Sequence, residues 1–151
     1  MRSRRWVKLL WALLLAANIG FIWGNSMLPA SQSQQLSDGM LSVLGALLAP
    51  LGEAASFALR KAAHITEFAC LGFLLAGFFR LAGRPSASLA ALSGLAAACV
   101  DETIQLYSPG RSSSVVDVWI DFFGVLMGIS LLYIGHILWK KTRKSLNSEE
   151  H

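Results

Sequence analysis

Charged residues are scarce in this chain of 151 residues. They make up 15% of the sequence, whereas hydrophobic residues make up 54% and the mean hydropathy is +0.53. Soluble domains carry about 25% charged residues. The composition is therefore that of a membrane protein, and it excludes an ordinary water-soluble domain.

Cysteines and continuous basic surfaces are also lacking. The chain has two cysteines, Cys70 and Cys99, both inside apolar runs, which excludes a disulfide framework. We expect each of them to pack as a buried free thiol. The net charge of +4 and the pI near 9.4 are values that nucleic-acid-binding proteins share. The basic residues, however, flank apolar segments and form no stripe, so we predict no nucleic-acid partner.

Four long apolar runs predict membrane-spanning helices, which need about 20 predominantly apolar residues. The first covers 9–24 and follows a basic segment. A signal peptide has a similar start, but Trp11 and Trp23 bracket the run as interface anchors do, which favours an uncleaved helix. The other spans are predicted at 62–79, 86–107 and 115–139. The predicted fold class is all-α: a polytopic membrane protein with four transmembrane helices in a bundle.

A fifth apolar run, 40–59, is interrupted by Gly45, Pro50, Gly52 and Glu53. These interruptions predict a short surface or re-entrant helical segment between the first and second spans. We expect one transmembrane domain over residues 1–144 and a polar tail over 145–151.

The distribution of basic residues predicts the orientation of the bundle. With four spans, three basic residues fall on one side of the membrane: Arg60, Lys61 and Arg111. Ten fall on the other side: Arg2, Arg4, Arg5, Lys8, Arg80, Arg84, Lys140, Lys141, Arg143 and Lys144. Because basic residues are enriched in cytoplasmic loops, both termini are predicted to be cytoplasmic, in a multi-pass protein of the plasma or inner membrane.

Polar and ionisable residues concentrate at the predicted outer end of the bundle. They come from three spans and a loop, yet they share one depth, within about two helical turns of the surface. A carboxylate that faces lipid is costly, so we expect these groups to face the bundle interior or water. The candidate ligand-binding residues are Arg60, Lys61, His64, Glu67, Asp101, Glu102, Gln105, Arg111, Asp117 and Asp121.

Small residues continue the faces that carry the acids. Gly94 lies on the same helical face as Asp101, and Gly124 and Gly128 follow Asp121 at intervals of about one turn. Small residues at this spacing let a neighbouring helix come close. Each helix is therefore predicted to turn both its small residues and its outer acids toward the bundle.

Three segments carry a family likeness: RKAAHITEF, DETIQLYSPGRSSSVVDVWID and DFFGVLMG. They resemble the VanZ-like family of small integral membrane proteins. The family pattern has a basic residue, His, and Glu followed by an aromatic, then Asp-Glu-x-x-Gln, a Gly-Arg turn and Asp-x-x-x-Asn-x-x-Gly. The matching positions are Lys61, His64, Glu67, Phe68, Asp101, Glu102, Gln105, Gly110, Arg111, Asp117, Gly124 and Gly128. Phe68 stands where Tyr is common, and Asp121 stands where Asn is common.

The resemblance implies a cellular location and a link to antibiotic resistance, but it implies no reaction. The family takes its name from a protein linked to resistance to teicoplanin, a glycopeptide antibiotic that acts on the outer face of the membrane. We therefore expect an extracytoplasmic polar vestibule that binds an envelope lipid, such as a lipid-linked cell-wall precursor, or an amphiphilic glycopeptide-type antibiotic. Such a protein would contribute to antibiotic resistance or to cell-envelope homeostasis. The bilayer is the expected partner, and the sequence does not define the oligomeric state.

The charges of the cluster bear on its ligand. It contains more acids than bases, which favours a cationic group, or a phosphate bridged by a divalent ion, over a lone phosphate. Apart from such an ion, no cofactor is predicted. The candidate metal ligands are His64, Glu67, Asp101 and Glu102.

Two other functions stay open. In a membrane-embedded hydrolase or transferase acting on a lipid-linked substrate, His64 and Glu67 would be the acid/base pair and Arg111 would hold an anionic transition state. Alternatively, the cluster is purely structural and holds the helices in register. A transporter is disfavoured because the inner half of each span lacks polar groups.

Overall fold

A computed structural model describes residues 2–35, 39 and 52–149 of the chain. Four long helices follow one another: α1 (Arg2–Met27), α2 (Gly52–Leu81), α3 (Ala87–Leu106) and α4 (Val115–Glu149). A short helical turn at 30–35 comes after α1, and the described residues contain no strand. The predicted all-α architecture is confirmed.

Each helix contains a segment that is long and apolar enough to cross a membrane. These segments are Arg5–Met27, Ala58–Leu81, Ala87–Leu106 and Val115–Leu146. The shortest has 20 residues, which at 1.5 Å per residue gives about 30 Å, the thickness of the hydrocarbon core. The protein is a multi-pass membrane protein, and its described residues contain the four predicted spans.

The helices extend beyond the predicted spans. Residues 52–59, predicted as part of a surface or re-entrant segment, form the first turns of α2, while 40–51 lie outside the described residues. Similarly, α4 continues past Trp139 to Glu149. Hydropathy detects only the apolar part of a helix, whereas Ala, Lys, Arg and Glu continue it readily into the polar region.

The bundle has two distinct ends, the polar end and the opposite end. The polar end is where α1 and α3 finish and where α2 and α4 begin. In the bundle, α2 and α3 each pack against the three other helices, and the closest association is between α2 and α4.

Glycines bring α2 and α4 into backbone contact. A Cβ atom at Gly124 would lie 2.6 Å from the carbonyl oxygen of Ile65, and one at Gly128 would collide with the backbone of Ala69. On α3, a Cβ at Gly94 would collide with the side chain of Val125. The predicted close approach along these small residues is confirmed.

Large apolar side chains fill the middle of the bundle. Phe68, Leu71 and Val125 are fully buried, and Ile22 of α1 packs in the same core. Near the opposite end, the Trp11 indole Nε1 donates a hydrogen bond to the carbonyl of Leu74 at 2.7 Å. This core and the Trp11 contact join α1 to α2.

The prediction that both cysteines are buried was wrong. Cys70 and Cys99 are free, and both lie on exposed faces of their helices. In a membrane protein the surface that faces lipid is as apolar as the core, so an apolar run does not by itself indicate burial.

Candidate functional site

The buried polar side chains of the described residues all lie at the polar end. They are Ser26, Asp101, Glu102, Gln105, Ser108 and Asp121. Three helices and the loop after α3 contribute them. Burying polar groups inside a membrane bundle is costly unless they have partners, so their contacts show what the cluster can do.

On α3, Asp101 is the most deeply buried acid, with an exposed fraction of 0%. Its Oδ2 accepts a hydrogen bond from Gln105 Nε2 at 2.8 Å, one helical turn away. The same Nε2 lies 3.5 Å from the hydroxyl of Ser26 on α1. The second carboxylate oxygen, Asp101 Oδ1, has no hydrogen-bond partner among the described residues.

The backbone contact between α2 and α4 sets His64 against Asp121. His64 Nδ1 lies 3.7 Å from Asp121 Oδ1, and the imidazole stacks on Phe68, with ring centroids 6.5 Å apart. Asp121 is buried, and its Oδ2 has no partner within the described part of the chain. One turn nearer the membrane surface, Lys61 and Asp117 form an ion pair between the same two helices.

Glu67 was a candidate for an acid/base pair with His64, but it bonds to a different residue. Its Oε1 accepts a hydrogen bond from Asn25 Nδ2 on α1 at 3.1 Å. Its Oε2 is buried without a partner among the described residues. The structure therefore pairs His64 with Asp121, and Glu67 with Asn25.

Arg111 holds the end of α1. Its Nε donates to the carbonyl of Leu28 and its Nη2 to the carbonyl of Asn25, both at 3.1 Å. Carbonyls at a helix end lack intrahelical partners and carry partial negative charge, which a guanidinium offsets. Burial lowers the pKa of Arg111, and Asp101 opposes that shift. A guanidinium is not deprotonated in proteins, so the side chain stays charged.

The loop after α3 places Arg111 where these contacts form. Gly110 has a φ of 74°, a conformation that favours glycine. Ser108 Oγ donates to the Ser26 carbonyl at 2.6 Å, and the amide of Ala30 donates to the Pro109 carbonyl at 3.0 Å. The loop is thus fastened to the segment that follows α1.

Glu102 stabilises the start of α4. Its Oε2 accepts a hydrogen bond from the backbone amide of Ser114 at 3.1 Å, and the side chain is buried. Amides at a helix N-terminus lack partners, and the helix dipole favours a carboxylate there. This contact supports a structural role for Glu102.

A cavity of about 760 Å³ opens beside this cluster. Apolar side chains from α1, α2 and α4, including Phe21, Leu59 and Ile120, form part of its wall. Seven of the predicted ligand-binding residues line it: Arg60, Lys61, His64, Glu67, Gln105, Arg111 and Asp117.

The other three predicted ligand-binding residues do not line this cavity. Glu102 and Asp121 line a small adjoining pocket of about 20 Å³, together with Lys61 and His64. Asp101 lines neither of the two. The cluster therefore borders two spaces: a wide cavity with charged and apolar walls, and a narrow pocket with polar, partly acidic walls. His64 lines both of them.

Three residues that the structure brings together could bind a metal ion, and they differ in part from the predicted metal ligands. His64, Asp101 and Asp121 each offer a ligand atom, and these atoms lie within 4.8 Å of one another. His64 and Asp101 were predicted candidates, whereas Asp121 takes the place of Glu67 and Glu102, which bond elsewhere. The three residues come from α2, α3 and α4.

The sequence prediction missed the contribution of α1. Asn25, Ser26 and the loop residue Ser108 bond to the predicted residues or to one another, yet none was a candidate. Asn25 and Ser26 end the first apolar run at the depth of the acids. That shared depth was the available signal.

The fold and the cluster define a small helical membrane protein whose ionisable residues are gathered at one end of the bundle. The VanZ/LLP1 family matches residues 9–138, which cover most of the chain. The chain belongs to this family, as its motifs had indicated. Comparison with curated proteins and with solved structures found no match.

Proposed function

We propose that the cavity at the polar end binds the headgroup of an outer-leaflet amphiphile, either an envelope lipid or a glycopeptide-type antibiotic. Through this binding the protein would contribute to antibiotic resistance or to envelope homeostasis. The observation that carries the proposal is the mixed cavity wall, in which apolar side chains adjoin charged ones.

The size and lining of the cavity support an amphiphile. Sites for small ligands are about 300–1,000 Å³ and combine apolar walls with a few placed polar groups. A volume of about 760 Å³ lies within that range. Phe21, Leu59 and Ile120 suit an acyl chain or another apolar part, and the charged residues suit a headgroup.

The charges that line the cavity favour an anionic headgroup. Its described lining contains three basic side chains, Arg60, Lys61 and Arg111, and two acidic ones, Glu67 and Asp117. The whole cluster is acidic, but Asp101, Glu102 and Asp121 do not line this cavity. Guanidinium groups recognise phosphate oxygens through paired hydrogen bonds, so Arg60 and Arg111 are the proposed phosphate contacts.

The orientation of the bundle is part of the proposal. Ten of the thirteen basic residues flank the opposite end, and this asymmetry supports cytoplasmic termini and a polar end that faces outward. Ser112 is exposed in the loop of the polar end. In a Ser112→Cys variant with Cys70 and Cys99 replaced by alanine, an impermeant thiol reagent should label intact cells or spheroplasts. Labelling only after lysis would reverse the orientation.

Binding is tested on purified protein in detergent. Native mass spectrometry would identify co-purifying lipids, and titration with a lipid-linked cell-wall precursor or with a glycopeptide would measure affinity. We expect Arg60→Gln to weaken binding about tenfold or more, because a charged hydrogen bond contributes roughly 1.5–3 kcal/mol. The control is Arg84→Gln, an exposed arginine at the opposite end. Equal affinities in the two variants would contradict the proposal.

Turnover would point to a different function. The same incubations, followed by mass spectrometry of the lipid, show whether the precursor changes mass. A product that disappears in a His64→Gln variant with intact binding would replace the binding proposal with a hydrolase or transferase acting through His64.

A further inference from the structure

Two buried carboxylates at the polar end have oxygens without partners. Asp101 Oδ1 and Asp121 Oδ2 make no hydrogen bond within the described residues, and the two side chains are 0% and 2% exposed. A buried charge costs free energy unless it is paired, hydrogen-bonded or bound to a metal. These oxygens therefore point to a missing partner at this location.

No basic side chain of the described residues forms an ion pair with Asp101, and Asp121 has only His64 within ion-pair distance. The nearby bases bond elsewhere: Lys61 pairs with Asp117, and Arg111 donates to carbonyls at the end of α1. The two acids thus form a concentrated negative site with which no lysine or arginine of the described residues forms an ion pair.

His64 adds a nitrogen ligand to these two carboxylates. One ligand atom from each of His64, Asp101 and Asp121 lies within 4.8 Å of the others. Metal–ligand bonds of this kind are about 2.1 Å long, so two ligands of one ion lie up to about 4 Å apart. Small rotations of the side chains would bring the three atoms onto a common ion.

The fold explains why the three residues meet. Gly124, next to Asp121 on the packed side of α4, sets α4 against α2, and Gly94 sets α3 against α4. Phe68 stacks on the imidazole of His64 and restricts its orientation. The ligands are therefore held on three rigid helices, which favours defined coordination over a loose acidic patch.

We propose that His64, Asp101 and Asp121 bind one divalent transition-metal ion between α2, α3 and α4. An imidazole nitrogen with two carboxylates suits Zn²⁺ or Mn²⁺, whereas Ca²⁺ and Mg²⁺ prefer oxygen ligands alone. The ion would balance the two carboxylate charges. His64 also lines the large cavity, so a free coordination position would lie at the boundary with the headgroup site. Only this last link rests on the proposed function.

The test uses the metal alone, without lipid. The purified protein in detergent is stripped with a chelator and titrated with Mn²⁺, and the unbound ion is measured by electron paramagnetic resonance. Competition with Zn²⁺ follows. We expect one Mn²⁺ per chain in the wild type. We expect at least about tenfold weaker binding in His64→Ala and in Asp121→Asn. His136→Ala is the matched control, since His136 bonds to Arg80 at the opposite end.

The outcome decides the proposal without reference to any lipid. A wild-type protein that binds neither Mn²⁺ nor Zn²⁺ overturns the site directly, and so does binding that survives in His64→Ala. If a variant does not fold, the melting temperature of the wild type with and without Mn²⁺ gives the answer, because a bound ion stabilises the folded state. Lipid binding without metal binding would retain the proposed function and remove only this site.

Discussion

The two ends of the bundle treat their charged residues differently. The carboxylates of the described side chains, which cover 5–35, 39 and 58–146, all lie at the polar end, and three of them are buried: Asp101, Glu102 and Asp121. At the opposite end, Arg84, Lys140 and Lys141 are exposed. The same four helices pack at both ends, so packing does not require buried acids. The cost of burying these acids at one end supports the proposal that the cluster serves a ligand.

The middle of the bundle connects the two ends and sets the geometry of both. Gly124 and Gly128 let α4 approach the backbone of α2, and this contact fixes the position of Asp121 opposite His64. Any change that separates the two helices should therefore disturb the polar end first.

The largest effect is expected from a single added methyl group. In Gly128→Ala, the new Cβ would collide with the backbone of Ala69, and two helix backbones cannot adjust as a side chain would. We expect a loss of about 3 kcal/mol or more in the free energy of unfolding, at the upper end of overpacking costs. Denaturation of the purified protein in detergent measures it.

Gly135→Ala is the matched control for this variant. Gly135 lies on the same helix, but a Cβ there meets nothing within 4 Å. Alanine favours a helix over glycine, so the control should be neutral or more stable than the wild type. Equal destabilisation by the two substitutions would argue against the backbone contact between α2 and α4.

This contact was also the part of the structure best predicted by sequence. Small residues spaced about one turn apart lie on one face of a helix. They leave room for a neighbouring helix, so this pattern predicts close helix packing on that face. The partner of His64 could not be predicted in the same way. The spacing of His64 and Glu67 places them on one helix face, but the rotation of α4 against α2 decides that Asp121 is the nearer carboxylate.

The contribution of α1 was hidden for a related reason. Asn25 and Ser26 end an apolar run, where polar residues normally face water. Their role depends on α2 and α3 coming alongside α1, which places Asn25 against Glu67 of α2 and Ser26 against Gln105 of α3. These are long-range contacts between segments that share no periodicity, so only the folded bundle reveals them.

A second prediction asks whether the polar end is arranged for a ligand at the expense of stability. In Asp121→Asn, a buried carboxylate with an unpartnered oxygen becomes a neutral amide of the same shape. Without added metal or lipid, we expect an increase of about 1–2 kcal/mol in the free energy of unfolding, since replacing uncompensated buried charge is often stabilising. Thermal unfolding in detergent measures the change.

Asp117→Asn provides the contrast for Asp121→Asn. Asp117 lies one turn away on α4 and is ion-paired with Lys61. Its substitution removes a satisfied contact, so it should not stabilise the protein. If Asp121→Asn lowers stability as much as or more than Asp117→Asn, the cluster is structural and the acids already have the partners they need.

A third prediction compares two side-chain hydrogen bonds between α1 and α2. In Asn25→Ala, Glu67 loses the only partner that the described residues give it, and leaving a buried polar group unsatisfied costs about 1–3 kcal/mol. In Trp11→Phe, the bond to the Leu74 carbonyl is lost, but the aromatic packing is kept, so we expect about 1 kcal/mol or less. Unfolding of the two variants in one detergent would rank them, and the reverse order would contradict the claim that α1 is anchored at the polar end.

The smallest effect should come from His136, a histidine at the opposite end. His136 Nε2 lies 3.0 Å from Arg80 Nη2, and the Arg80 guanidinium also packs over the ring of Tyr133, 5.9 Å from its centroid. In His136→Ala, Arg80 keeps that ring contact and lies near the membrane surface, where water can replace the lost partner. The melting temperature and the affinity for headgroup and metal should therefore match the wild type. A loss of ligand affinity in this variant, with the fold intact, would mean that the opposite end communicates with the site. In that case the two ends could no longer be treated as a functional half and a structural half.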